Sequence, residues 1–141
     1  MVKKVKEILE VGKRRLAVAR AVVKAGSGKI YINSKPLELW GTDILRLWIR
    51  EPLILAGDAA KNVDVVVNVK GGGIVGQAEA IRQAIAKGLV KFLKDRKLRE
   101  VYMKYDRNLL VYDPRRNEPH HSSGKGASKR GSRRHRQRSK R

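Results

Sequence analysis

From residue 63 to residue 70 the chain reads VDVVVNVK, which places Val63, Val65, Val67 and Val69 on one side of an extended backbone and Asp64, Val66, Asn68 and Lys70 on the other. This period of two predicts a strand with one buried face. Beyond three glycines the period changes, and Ile74, Ala78, Ile81, Ile85, Leu89 and Phe92 form one apolar stripe of a helix. Arg82, Gln83, Lys87 and Lys91 fall on its other faces. Upstream, residues 16–24 are rich in Val and Ala, and residues 29–33 (KIYIN) alternate. Gly26-Ser27-Gly28 between them supplies the positive-φ positions of a tight turn, so the two segments are predicted to pair as a β-hairpin. Pro36 suits the first turn of a helix in which Trp40, Ile44, Leu47 and Trp48 recur at helical spacing, until Pro52 forbids continuation. On that spacing the tryptophans belong to the core. A charged helix over roughly residues 95–105 leads to Leu109-Leu110-Val111-Tyr112, a short strand or extended segment closed by Asp113-Pro114. Strands alternate with helices, which predicts an α+β body, a small sheet covered by helices on at least one face.

Charge divides the chain at about Pro114. The whole carries 34 Lys and Arg against 13 Asp and Glu, a net of +21 on 141 residues. Residues 114–141 hold 11 of those cations and a single acid, Glu118, and beyond that acid the only aliphatic side chain is Ala127. Such a segment buries too little apolar surface to offset the entropy of ordering, so residues 1–113 read as a globular body and 114–141 as an extended basic tail, disordered until an anion holds it. A one-sign field of this size calls for a polyanion, and nucleic acid is the first choice.

Gly71, Gly73 and Gly76 spell G-x-G-x-x-G between strand and helix, and the nucleotide reading fails on its further demands. A phosphate loop would follow Gly76 with a lysine and a hydroxyl; here stand Gln77 and Ala78. A dinucleotide fold would end its next strand in an acid that binds ribose, but the surroundings of Asp95, FLKDRKLREV, read as helix. Two compatible readings remain. The glycines let a strand turn sharply into a closely packed helix, and the free N–H groups of the turn, Gly71, Gly72 and Gly73 with Lys70 beside them, hold a phosphate of a polynucleotide.

Other chemistry is thin. There is no cysteine, and His120, His121 and His135 lack ligand spacing, so neither a disulfide nor a metal or other cofactor is expected. No nucleophile triad or carboxylate pair can be argued from spacing, and Asp43, Asp95 and Glu100 read as solvated or locally paired, so the protein is not read as an enzyme. The start, MVKKVKEILEV, lacks the apolar core of a signal peptide, and no stretch approaches a membrane span, so a soluble intracellular protein without membrane partners is expected.

Gly71-Gly72-Gly73, Gly76-Gln77, Ala80, Ala84 and Ala86-Lys87-Gly88-Leu89, at their present spacing, resemble the signature of the universal family of the ninth protein of the small ribosomal subunit. The likeness extends over nearly the whole chain. Gly12-Lys13-Arg14-Arg15 with Leu16-Ala17-Val18-Ala19-Arg20 looks like the family's first strand, Gly26-Ser27-Gly28-Lys29-Ile30 like its hairpin turn, and Arg50-Glu51-Pro52-Leu53 like its stretch before the glycine strand. Gln137-Arg138-Ser139-Lys140-Arg141 looks like its terminus, and EPHHSSGKGASKRGSRRHRQ before it departs from the bacterial pattern and looks archaeal. The resemblance implies a body of the ribosomal-protein S-five domain-two-like class with a left-handed β-α-β crossover, where general chirality predicts a right-handed one. It also implies binding to ribosomal RNA in the subunit head beside neighbouring ribosomal proteins, with a tail running to the peptidyl-site tRNA. Carried over by position, Lys140, Arg141 and Arg138 would touch the anticodon stem-loop.

On this reading Lys129, Arg130, Arg133, Arg134 and Arg136 alternate with small or polar residues, so an extended backbone sets guanidinium forks against successive phosphates of ribosomal RNA. Lys13, Arg14, Arg15 and Arg20 would mark the RNA-facing part of the hairpin, and Arg82, Lys87 and Lys91 the exposed side of the glycine helix. The rival from charge alone is a DNA-compacting protein, which recognition of the 2′-hydroxyl would separate from an RNA binder.

Overall fold

The computed structural model describes residues 7–116; the expectations for the tail, from Lys129 to Arg141, lie outside them. Among the described residues five strands form one mixed sheet: β1 (Glu7–Arg14), β2 (Ala17–Ala25), β3 (Ile30–Ile32), β4 (Lys35–Pro36) and β5 (Val63–Lys70), in the order β1-β2-β5-β3-β4. Three helices, α1 (Asp43–Ala56), α2 (Ile74–Leu93) and α3 (Arg96–Tyr105), complete the α+β body. As the alternation requires, Val63, Val65, Val67 and Val69 are buried on the same sheet face as Ala17, Ala19, Ala21 and Val23 of β2, toward the helix layer. β3 and β5 are parallel neighbours joined through α1, which is the β-α-β unit.

The hairpin is elsewhere than Gly26-Ser27-Gly28 suggested. β2 and β3 do not pair, because β5 lies between them, antiparallel to β2 and parallel to β3. The glycine loop's donors turn toward β5: the Ser27 and Lys29 N–H groups donate to Asp64 Oδ1 at 2.8 and 2.9 Å, and Gly26 N–H donates to the Asn62 carbonyl at 3.0 Å. Those two bonds, Lys29's first, hold the Asp64 carboxyl below its ordinary pKa. The true hairpin partner of β2 is β1, whose charged start gave a weak apolar alternation; Arg14 and Ala17 pair across the two-residue turn Arg15-Leu16, with Arg15 at φ 52°.

The first helix also departs from its expected bounds. Pro36 ends β4, Leu37–Leu39 is a 3₁₀ turn, and α1 runs through Pro52 to Ala56 and is capped by Gly57, where φ is 60°. Proline at this position forgoes the bond to the carbonyl of Trp48. Its ring is buried in the core and its own carbonyl accepts the Tyr102 hydroxyl at 2.5 Å, which offsets that loss. The inward face is Leu45, Ile49 and Pro52; Ile44 and Leu47, expected inside, are exposed, while Trp40 and Trp48 pack against the core as expected.

α2 buries Ala78, Ile81, Ile85 and Leu89 of the predicted stripe, with Phe92 partly buried and Ile74 exposed. It is also buried at Ala80, Gln83, Ala84, Ala86 and Gly88, because β1 and β2 cover one side and α1 another. Small residues four apart make the approach close. A Cβ on Gly12 would overlap the carbonyl oxygen of Ala80 and stand 2.7 Å from Ala84 N, and one on Gly88 would stand 2.5 Å from Val23 Cγ2.

Asp95 caps α3 by accepting the Lys97 N–H at 2.8 Å, which places it in a helix start as its charged surroundings predicted. Leu109 closes a 3₁₀ turn, Arg107–Leu109, and residues 109–112 form no strand. Gln83 is the reason: its amide donates to the carbonyls of Asn108 and Val111 at 3.1 and 2.9 Å and accepts Lys13 N–H at 2.9 Å, so this segment is tied to α2 and β1 by a side chain instead of a ladder.

Candidate nucleic-acid interface

The glycine turn joins β5 to α2. Gly71 and Gly72 sit at φ 78° and 65°, a region open to glycine at little cost. Added Cβ atoms there would meet the carbonyl of Leu16 and, at 3.0 Å, the nitrogen of Ala17, so the turn lies directly on the β1–β2 turn. Gly73 differs. It caps α2 at φ −94° and ψ 167°, a conformation any residue adopts, and nothing lies within 4 Å of its missing Cβ. Among the described residues no side chain bonds the free N–H groups at the start of α2, and no acid occupies its first turn. Gln77 Nε2 turns back onto the Gly71 carbonyl at 3.1 Å, and Ala78 is buried, so the positions where a nucleotide loop keeps its lysine and hydroxyl serve the fold.

The cations singled out in the sequence of the body fall into two sets. Lys13, Arg15, Arg20 and Lys70 are exposed and form no ion pair among the described residues. Arg15 is in the β1–β2 turn and Lys70 ends β5 beside Gly71; Arg20 projects from the sheet face opposite the helices, where it pairs in register with Asn68. That open face also carries Leu9, Val22 and Val66, with Lys24 near Asp64. Lys24 and this apolar patch add to the cations singled out from the sequence, and their signal is that Val18, Arg20, Val22 and Lys24 share the side of β2 that alternates away from the buried alanines.

The second set is engaged within the protein. Arg14 bonds Glu79 at 2.5 Å and Asp113, whose buried carboxylate also receives Arg115 at 2.8 Å. Lys87 Nζ donates to the Val11 carbonyl at 3.2 Å, and burial lowers its pKa. Lys91 remains mostly exposed and pairs with Glu10. Arg82, expected on an exposed face, is only 12% exposed: it meets Glu51 at 2.5 Å and Asp106 at 2.7 Å, beside the ring of Trp48. The reason is α1 and the segment after α3, which close over that side of α2.

This triad carries a stability prediction. Arg82→Met leaves two partly buried carboxylates without their cation, and the body should lose about 2–3 kcal/mol in denaturant unfolding, at or below the range for breaking a buried pair because Glu51 and Asp106 keep some water. Adding Glu51→Gln and Asp106→Asn should restore part of that loss; no change on Arg82→Met would mean the triad contributes nothing net.

Residues 12–141 match the model of the family described as Ribosomal protein S9/S16. A protein of Pyrobaculum aerophilum named small ribosomal subunit protein uS9 is 52% identical over 111 residues, 79% of this chain and 78% of its own. Proteins of the same name from Methanococcus maripaludis and Thermoplasma volcanium are each 52% identical, over 84% and 85% of this chain and 88% and 91% of theirs. All three sources are archaeal, in keeping with the look of the tail. With its glycine turn, its Ala80-Ala84-Gly88 seam and its basic C-terminal segment all inside the matched span, the chain belongs to the ribosomal protein S9/S16 family.

Proposed function

We propose that this protein is a structural component of the small ribosomal subunit, working in the cytoplasm without cofactor or catalytic activity, and that its body binds ribosomal RNA in the subunit head. The observation that carries the reading is the exposed set Lys13, Arg15, Arg20 and Lys70, without an ion pair among the described residues, together with a helix start that no described side chain caps, in a family whose relatives are named for the small subunit. Phosphate oxygens complement both features, since free N–H groups at a helix start and unpaired cations favour the same anion. Arg14, Arg82 and Lys87 then support the surface from within, the exposed Lys91 adds a contact toward the far end of α2, and Lys129, Arg130, Arg133, Arg134 and Arg136 supply further phosphate contacts. Arg138, Lys140 and Arg141 touch the anticodon stem-loop of peptidyl-site tRNA. No described helix is long and apolar enough to cross a membrane.

Sedimentation of the native protein through a gradient tests the assignment. It should travel with the small subunit and leave that fraction after ribonuclease; migration as free protein, or with DNA, would replace the reading with that of a DNA-compacting protein.

The glycine turn has its own test. Gly73→Asp should raise stability by a few tenths of a kcal/mol, because a carboxylate caps α2 in open space. The same carboxylate faces the incoming phosphate, so affinity for ribosomal RNA should fall about tenfold, of the order of a lost charge-assisted bond. Stability and affinity moving in opposite directions would identify a phosphate seat; affinity unchanged would leave the turn to packing alone.

A further inference from the structure

Beside the free edge of β1, that strand, α2 and the chain after α3 enclose a cleft of about 250 Å³, lined by Val11, Lys13, Gln83, Lys87, Tyr112 and Arg116. Three of the six are cations and none is an acid. Their charge is not taken up by ion pairs among the described residues: Lys13, Lys87 and Arg116 have none, while Glu10 is paired with Lys91, and Asp113 with Arg14 and Arg115. Uncharged partners hold the donors in place instead. Lys87 Nζ gives one proton to the Val11 carbonyl at 3.2 Å and keeps two. The Arg116 guanidinium lies over the Tyr112 ring, 5.3 Å from its centroid, and its Nε donates to the Tyr112 hydroxyl, which leaves both terminal nitrogens open among the described residues. Gln83 ties the three walls together through Lys13 N–H and the carbonyls of Asn108 and Val111.

Keeping cations together without a counter-charge is unfavourable. Burial is the main cause that lowers the Lys87 pKa, and Lys91 and Lys13 lower it further against the opposing pull of Glu10. An anion in the cleft would offset that repulsion. From this we propose that the cleft seats one phosphate of an RNA backbone, held by Lys87 and Arg116 with the exposed Lys13 at its mouth. Size and chemistry select the ligand. The volume lies below the roughly 300–1,000 Å³ of sites that enclose a cofactor or other small molecule, and suits a single tetrahedral anion whose diester continues outward on both sides. A planar guanidinium beside ammonium groups matches phosphate oxygens. Through Lys13 the seat continues the body's exposed cations, and at Arg116 it borders the basic C-terminal segment, so one strand has an unbroken run of positive charge to follow.

The inference rests on the ribosomal reading, and phosphate-ethylation interference with the full-length protein and protein-free small-subunit RNA tests it. Arg116→Gln and Lys87→Gln should each weaken binding about tenfold, of the order of a lost charge-assisted bond. Ethylation should block the wild-type protein at a set of phosphates. Both variants should become indifferent to ethylation at one and the same position and stay sensitive at the others. Lys104→Gln removes an equal charge from an exposed site on α3, outside the cleft, and should change affinity less than about twofold with no position lost. Arg116 is exposed and its side chain bonds only Tyr112 among the described residues, so its variant keeps the fold even where Lys87→Gln, which gives up the Val11 carbonyl, does not. No position lost in Arg116→Gln, or different positions lost in the two variants, would overturn the proposal. So would unchanged RNA affinity with weakened retention in reconstituted subunits, which would give the cleft to a protein carboxylate. Wild-type protein that binds no small-subunit RNA would instead sink the ribosomal reading itself.

Discussion

Gly12→Ala is expected to lower the unfolding temperature of the body by more than about 10 °C, corresponding to roughly 3 kcal/mol or more at this domain size. The methyl group would overlap the Ala80 carbonyl oxygen and press on Ala84 N, and both obstacles are backbone atoms of a helix that is itself buried. Neither side can rotate away, so β1 must lift from α2. That movement would also strain the bond from Lys13 N–H to Gln83, and with it the attachment of residues 108 and 111. Gly76→Ala is the control: its Cβ would find Ala17 Cβ at 3.7 Å, an ordinary contact, and replacing a helical glycine contributes up to about 1 kcal/mol. Thermal unfolding of the two variants side by side decides the matter. A Gly12→Ala protein within a few degrees of the wild type would mean that the strand and helix are farther apart than this packing requires.

The same contrast explains why a nucleotide-like spacing is no nucleotide site. Gly71 and Gly72 answer to the β1–β2 turn beneath them, and Ala80, Ala84 and Gly88 to the sheet, so most of the motif records close approach of backbone to backbone. That much could be inferred from missing partners alone, since Gln77 and Ala78 stand where lysine and hydroxyl belong. The valine strand was equally legible because one of its faces is wholly apolar. What could not be read was pairing. Gly26-Ser27-Gly28 has the composition of a hairpin turn, yet Asp64, far along the chain, takes its donors, and only the fold shows that β5 enters between the two segments.

Local rules also misplaced α1 and Arg82, for one physical reason. A proline ends a helix when the alternative is solvent, but here the ring of Pro52 is buried and Tyr102 binds its carbonyl, so tertiary contact outweighs the missing bond. Arg82 has the spacing of an exposed residue on an isolated helix, and becomes enclosed because α1 and the segment after α3 bring Glu51 and Asp106 to it. Charge along the sequence shows how many cations exist; which of them are free depends on acids that arrive from other elements.

That distinction sets the outcome of removing residues 117–141. The truncated protein keeps Asp113, Arg14 and Arg115 and so keeps the ion pairs that fasten the end of the described body; its unfolding transition should match that of the full chain. It loses nine of the 34 Lys and Arg residues together with Glu118. If those cations meet phosphates, binding to ribosomal RNA should weaken by about 10³-fold or more near physiological salt, and the plot of log affinity against log salt should become shallower by up to about 6. Lys13, Arg15, Arg20 and Lys70 would account for the slope that remains. Titrations at several salt concentrations measure both quantities. An unchanged slope would assign the counterion release to the body and leave the tail's cations without an RNA partner. A loss of slope with an unaltered body would instead divide the work physically, with a folded unit that sets position through Lys13, Arg15, Arg20 and Lys70 and a terminal segment that supplies more of the phosphate contacts.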